Sequence, residues 1–298
     1  MNLSRKIVFQ SLRWLEGVLP QRLLFILLQW LCRLSLLIRH EKDIPGVNEF
    51  QKLHLLDPAI QLPDEADQRD EQLLNRMDRI AACWPDRFHL PRWQHRCEVK
   101  GIAPLLELNR ARRPVILVTF HVGPLFNLRY WLRSMELPVA GLVGERTDER
   151  SAFRIWKDRL EGRPWPNAFS TATDLLKAMR WLRKGAMLLA AVDLGDAFPG
   201  PVVAMGEGRI RLNSGLIRMA IRSNAVIVPV FISRPRAMSC EIRFAAPIEP
   251  RDNVTEFEGH VLASMAETAL LLIRKHPAQV GPEFLGCIVD AKPNNAAP

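Results

Sequence analysis

The stretch VILVTFHVGP, residues 115–124, decides the fold reading. Its first six residues are apolar or β-branched without a break, too short for a buried helix and closed by turn formers, so they read as a strand buried on both faces. Gly123 then permits a tight turn, and Pro124 suits the first position of a helix, where its missing N–H costs nothing. Working outward, the same kind of run recurs as PVAGLV (138–143), AMLLAAV (186–192) and AVIVPVFI (225–232). Helical patterns lie near 124–134, 150–161, 173–184, 214–223 and 255–275. Alternating strands and helices predict an α/β fold with a mainly parallel sheet flanked by helices. No internal repeat interrupts it.

In an open parallel sheet, ligands bind outside the carboxyl ends of the strands, so the residues that follow each run are site candidates. They are His121, Glu145 with Arg146, Asp193, and Arg234. Any one of them is an ordinary polar loop residue; their convergence on one sheet edge carries the information. His121, exposed beside a helix start, reads either as a structural imidazole or as a general base for a hydroxyl or amine that attacks an activated acyl group. A second dense segment, MGEGRIRLNSG at 205–215, precedes an amphipathic helix that Asn213 or Ser214 would cap. Arg209 and Arg211 upstream of that cap make an anion cradle of the type that holds phosphate, unless the segment only caps the helix. Its spacing is not that of a nucleotide P-loop.

Before this domain, residues 23–38 read LLFILLQWLCRLSLLI, and from Met1 to Arg39 six basic residues (Arg5, Lys6, Arg13, Arg22, Arg33, Arg39) oppose only Glu16. The run would reach about 24 Å, short of a hydrocarbon layer of about 30 Å, and Arg33 sits within it. A basic, Trp-bearing helical segment at 1–40, amphipathic from Ile7 to Leu19, therefore suits the interface of an anionic membrane surface; a buried helical hairpin is the alternative. Residues 41–96 turn polar and acidic and read as a solvated helical arm. Residues 97–291 are the α/β domain, and 292–298 have the composition of a frayed tail.

The whole chain of 298 residues carries a net charge of +9, which predicts an acidic partner: phospholipid headgroups, nucleic acid or an acidic protein. One Tyr and no interleaving of aromatic with basic residues argue against nucleic acid. The five cysteines (Cys32, Cys83, Cys97, Cys240, Cys287) form no CxxC pair and have no clustered His, so spacing indicates neither a zinc site nor a disulfide framework, and a reducing compartment fits.

From Cys97 onward the order of features resembles the lysophospholipid acyltransferase superfamily, in particular the branch of bacterial lipid A lauroyl/myristoyl acyltransferases. The segments that carry the resemblance are 97–124, 174–196 and, most specifically, PVVAMGEGRIRLNSGLIRMAIRSNAVIVPVFISR at 201–234. The resemblance implies a membrane-associated enzyme at the cytoplasmic face of the inner membrane, peripheral or monotopic. It would move a fatty acyl chain from acyl carrier protein or coenzyme A to a hydroxyl or amine of a lipid-like acceptor, with the thioester as co-substrate and no resident cofactor or metal. The family motif is HxxxxD or HxxxxE, its acid orienting the His. Here Phe126 occupies the acid's place. Asp193, onto which a family strand-end Asp maps, is the first replacement, with Glu145 and Asp196 behind it and Asn127 able to offer an amide oxygen. In this reading His121 and Asp193 are catalytic, and Arg146, Arg163 (with Arg159 a rival), Arg209, Arg211, Asn213 and Ser214 bind substrate. The alternative that Phe126 raises is a catalytically degenerate protein of the same fold that serves as a lipid-binding or scaffold partner.

Overall fold

A computed structural model describes residues 18–38, 47–81, 97–143, 168–170, 173–194, 200–236, 239–251 and 253–289. The helix candidate near 150–161, with Glu145, Arg146, Arg159, Arg163 and Asp196, lies outside them, as do residues 1–17, Cys83 and the tail.

Seven strands form the central sheet: β1 (Cys97–Lys100), β2 (Val115–Thr119), β3 (Val139–Val143), β4 (Ala168–Ser170), β5 (Met187–Ala191), β8 (Val226–Ser233) and β9 (Cys240–Phe244), in the order β1-β9-β8-β2-β5-β3-β4. Every neighbouring pair is parallel except β8 with β9. The predicted parallel α/β sheet is therefore present, with an antiparallel step toward one edge. Period-two alternation then divides the core. Ile116, Val118 and Phe120 of the β2 region face one layer with Leu188, Ala190 and Ile227, whereas Val115 and Leu117 face the other with Met187, Leu189 and Val228. The first layer is covered by α7 (Leu175–Leu182), α8 (Gly215–Ser223) and α9 (Val254–Lys275), the second by α5 (Ala103–Arg110) and α6 (Leu125–Ser134). Helix ends follow local chemistry: Asn253 accepts the Glu256 N–H at 3.3 Å to start α9, and Asn224 ends α8 in the left-handed region at φ 49°.

Three features differ from expectation. The segment with Arg209 and Arg211, read only as the approach to a helix start, is strand: β6 (Val202–Met205) and β7 (Gly208–Arg211) form a hairpin that β10 (Ile288–Val289) extends into a second, three-stranded sheet. Pro124 caps α6 instead of opening it. The polar stretch before the domain is not solvated along its described length. Phe50, Leu53, Leu56 and Ile60, carried by the one-turn helices α2 (Val47–Phe50) and α3 (Leu53–Leu56) and the chain after them, join the first core layer. Asp57 ties that segment to α9 by accepting from Arg274 at 2.5 Å. In α4 (Glu65–Ala81), Leu73 and Met77 are buried one turn apart, so a polar average conceals an apolar stripe.

Helix α1 (Gln21–Ile38) packs on α4 with Cys32 buried, while Leu23, Ile26, Trp30 and Leu34 share the opposite side and are exposed. Among the described residues no helix is long and apolar enough to cross a membrane.

Candidate active site

Strand order and register build the site. β2 pairs with β5 from Val115↔Met187 to Thr119↔Ala191, and the Val192 N–H continues the ladder to the Thr119 carbonyl at 3.0 Å. Two residues past the last paired position stand His121 and Asp193, so the register that buries the strands also sets these side chains together. β3 and β5 lie on one side of β2 and β8 on the other, so the chain's order of strands reverses beside β2. That makes the end of β2 the crevice where α/β sheets bind ligands.

Asp193 is fully buried and uses both oxygens on one residue. Oδ2 accepts the His121 backbone N–H at 2.7 Å and Oδ1 lies 3.0 Å from the ring Nδ1. A carboxylate at Nδ1 fixes the tautomer with its proton there and turns Nε2 outward. Among the described residues no hydrogen bond engages Nε2, and the imidazole is 27% exposed, so it is reachable. Burial alone favours the neutral ring. The Asp193 charge and hydrogen bond outweigh it, joined by the charge of Glu283, and raise His121 from its ordinary 6.5 to about 9.

The turn after His121 is held by a segment that sequence reasoning did not single out. Val122 and Val280 pair as an antiparallel bridge, the Gly123 N–H donates to the Gln279 carbonyl at 2.8 Å, and the Gly281 N–H donates to the His121 carbonyl at 2.8 Å. Each glycine is required. Gly123 has φ +77°, and a Cβ there would lie 2.0 Å from the Ile232 carbonyl; a Cβ on Gly281 would lie 2.7 Å from the His121 carbonyl. That same Gly281 position is 3.2 Å from Glu283 Oε2 and 3.3 Å from His121 Cβ, which places the Glu283 carboxylate beside the imidazole. One signal was available: Val-Gly-Pro occurs at 122–124 and again at 280–282.

Gln279 also grips Arg234, accepting its N–H at 2.9 Å and donating to its carbonyl at 2.8 Å. The Arg234 side chain is buried and donates to Glu71 and, at 3.1 Å, to Asn75 on α4. Thus the strand-end Arg234 is a tie between the arm and the sheet, not a ligand-facing group.

On the β5 side, the Asn213 N–H donates to the Val192 carbonyl at 2.7 Å, which brings the start of α8 next to Asp193. Asn213 Oδ1 accepts the Gly215 N–H at 2.7 Å, so its side chain shapes the turn; Ser214 is the buried N-cap and makes no side-chain cap bond. Arg209 and Arg211 share one face of β7 opposite the buried Ile210, with Arg211 two residues before Asn213. The structure therefore joins His121 and Asp193 directly and Asn213 and Ser214 through the backbone, with Arg209 and Arg211 on the adjoining strand. Phe126 lies in the first turn of α6, and next to it Asn127 Oδ1 is buried without a hydrogen-bond partner among the described residues. Among the described residues no group of three or more His, Cys, Asp or Glu is placed to hold a metal ion.

No protein-family model matches the chain, and no curated protein matches it significantly.

Proposed function

We propose that the protein is a membrane-associated acyltransferase that moves a fatty acyl chain from an acyl carrier protein or coenzyme A thioester to a hydroxyl or amine of an amphipathic acceptor. The observation that carries this reading is the contact of His121 Nδ1 with buried Asp193 at 3.0 Å, which supplies the orienting acid that position 126 lacks. Nε2 takes the proton of the acceptor hydroxyl or amine as its oxygen or nitrogen attacks the thioester carbonyl. The tetrahedral intermediate then expels the pantetheine thiolate, which receives that proton from the imidazolium. Asp193 stabilises the imidazolium and keeps Nδ1 protonated. Arg209 and Arg211, with Arg146 and Arg163, are the cations this reading assigns to the donor's or acceptor's phosphates, and it assigns Asn213 and Ser214 to substrate binding as well.

The surface of α1 supports the membrane part. Leu23, Ile26, Trp30 and Leu34 form an exposed apolar stripe with Arg33 exposed beside it, which is the composition of a helix lying in a membrane interface. The basic N-terminal segment adds attraction to anionic lipid.

The test is transfer from carrier-protein and coenzyme A thioesters to lipid acceptors in detergent. Wild type is expected to transfer, and His121→Ala to lose nearly all of it with the fold verified by circular dichroism. Transfer that survives His121→Ala refutes the base; absence of transfer from both donors in wild type favours the scaffold alternative.

A further inference from the structure

Spacing pairs none of the cysteines, but the sheet does. β1 and β9 run parallel with Cys97 opposite Cys240, residues 143 positions apart in the chain. Directly opposed residues of a sheet point to the same face, and both sulfurs join the second core layer, with Val99, Ile242 and Phe244 next along the strands. Their Sγ atoms stand 2.8 Å apart. Neighbouring strands are about 4.8 Å apart, within the Cα separations that disulfides bridge, and a sulfur–sulfur bond is about 2.05 Å, so closure asks for less than about 1 Å of movement. On the other face Glu98 lies opposite Glu241, like charges that alone would splay the strands. Lys100 bridges them at 3.0 and 3.2 Å, and Arg243 adds a contact to Glu241 at 2.8 Å. Those cations hold the register that keeps the sulfurs together. Cys240 is 6% exposed, whereas Cys97 is half-buried and is the sulfur a reagent reaches first.

We propose that Cys97 and Cys240 form a dithiol site that a low-molecular-weight disulfide, such as oxidised glutathione, closes to a disulfide. The Cys97 thiol loses its proton to solvent and the thiolate attacks one glutathione sulfur; the glutathione disulfide breaks, and the departing thiolate takes up a proton. The Cys240 thiolate then attacks Cys97 Sγ and expels the second glutathione. Two protein thiols are oxidised and one glutathione disulfide is reduced to two thiols. The site is independent of the acyl-transfer reading, yet it lies on the same sheet edge. Ser233 pairs with Glu241 beside Cys240, and the Ile232 carbonyl lies against Gly123 in the His121 turn. Oxidation would therefore tie β1 to β9, the strand that pairs with β8 beside this turn.

Reduced full-length protein would be incubated with oxidised glutathione, its remaining thiols alkylated, and the digest read by mass spectrometry without reduction. The expected result is a fall from five thiols to three, with one cross-linked species joining the Cys97 and Cys240 peptides, two hydrogens lighter than their sum and reversed by dithiothreitol. Cys240→Ser is expected to stop at a glutathione mixed disulfide on Cys97. A wild type that keeps five thiols, that stops at the mixed disulfide, or that links Cys97 to another cysteine overturns the proposal.

Discussion

Asp193→Asn isolates the charge of the dyad while conserving its shape. In the native pair one carboxylate accepts two hydrogens, from the His121 backbone N–H at 2.7 Å and from Nδ1 across 3.0 Å. An amide has one oxygen to offer, so one of these contacts must become a donor–donor clash or break. The charge is the larger loss. Burial opposes ionisation of His121, yet its pKa stands at about 9 instead of 6.5, and a difference of that size is worth about 3 kcal/mol of preference for the imidazolium. Because the folded pKa is the higher one, the folded state holds more protons between pH 6.5 and about 9. This stabilisation is fully present below pH 6.5 and is lost as pH rises to about 9. Without the Asp193 charge, burial acts against Glu283 alone and the pKa is expected to fall well below that of the wild type. Wild-type transfer should rise about tenfold per pH unit toward pH 9, since at pH 7 only about 1% of such an imidazole is the free base. The substituted protein should lose that slope and also about 10²- to 10⁴-fold of its limiting rate. Nuclear magnetic resonance of the His121 ring across pH 5 to 10 reads the pKa directly, and urea unfolding at pH 6 and pH 9 reads the stability. A wild-type ring that titrates near 6.5, or an unchanged ring pKa in the Asp193→Asn protein, would refute the electrostatic reasoning.

Three further outcomes follow from the same geometry. Arg234→Leu removes the guanidinium that Glu71 and Asn75 share, and breaking a buried pair from one side costs about 3–5 kcal/mol, readable as a lowered urea midpoint; a loss under about 1 kcal/mol would show that the arm docks by other means. Gly281→Ala sets a Cβ 2.7 Å from the His121 carbonyl, so about 1–3 kcal/mol of stability and most transfer should go, whereas unchanged kinetics would mean that the segment from Gln279 to Gly281 does not position His121. Trp30→Ser with Leu34→Ser removes two exposed apolar side chains from α1, and at about 1.5–3 kcal/mol for each side chain buried in lipid, sedimentation with anionic vesicles should weaken at least tenfold without a change in thermal midpoint; undiminished binding places the anchor elsewhere.

How much of this is legible in the sequence depends on how local its cause is. β2, β5 and β8 announce themselves because a parallel strand covered on both faces is a continuous apolar run. CEVK and CEIRF do not: they are short, alternating and near the sheet edge, and their pairing is decided across 143 positions. The GEGR stretch carries no strand signal because its two glycines suggest turns: Gly206 does lie in the β6–β7 turn, but Gly208 opens β7, and both lie where the backbone of Leu55 or Leu56 comes so close that a Cβ would not fit. Likewise the acidic character of 63–72 outweighs, on average, the two buried positions of α4, and only the third dimension shows Glu71 turned inward to Arg234.

The site shows the same division. Reading strand ends placed His121 and Asp193 on one edge, but adjacency required the insertion of β5 between β2 and β3, and no spacing states that order. An acid one helical turn beyond a His is a local device, since a single turn fixes the distance. An acid at the same level of the next strand orients the ring equally well, provided that the ladder between them cannot slip by one residue. Here five consecutive register pairs, all buried, and the Val192 bond to Thr119 oppose such a slip, which would turn Asp193 to the other face of the sheet. Phe126 at the motif position is therefore compatible with an oriented His121, because the packing of β2 against β5 replaces the covalent spacing that the motif relies on.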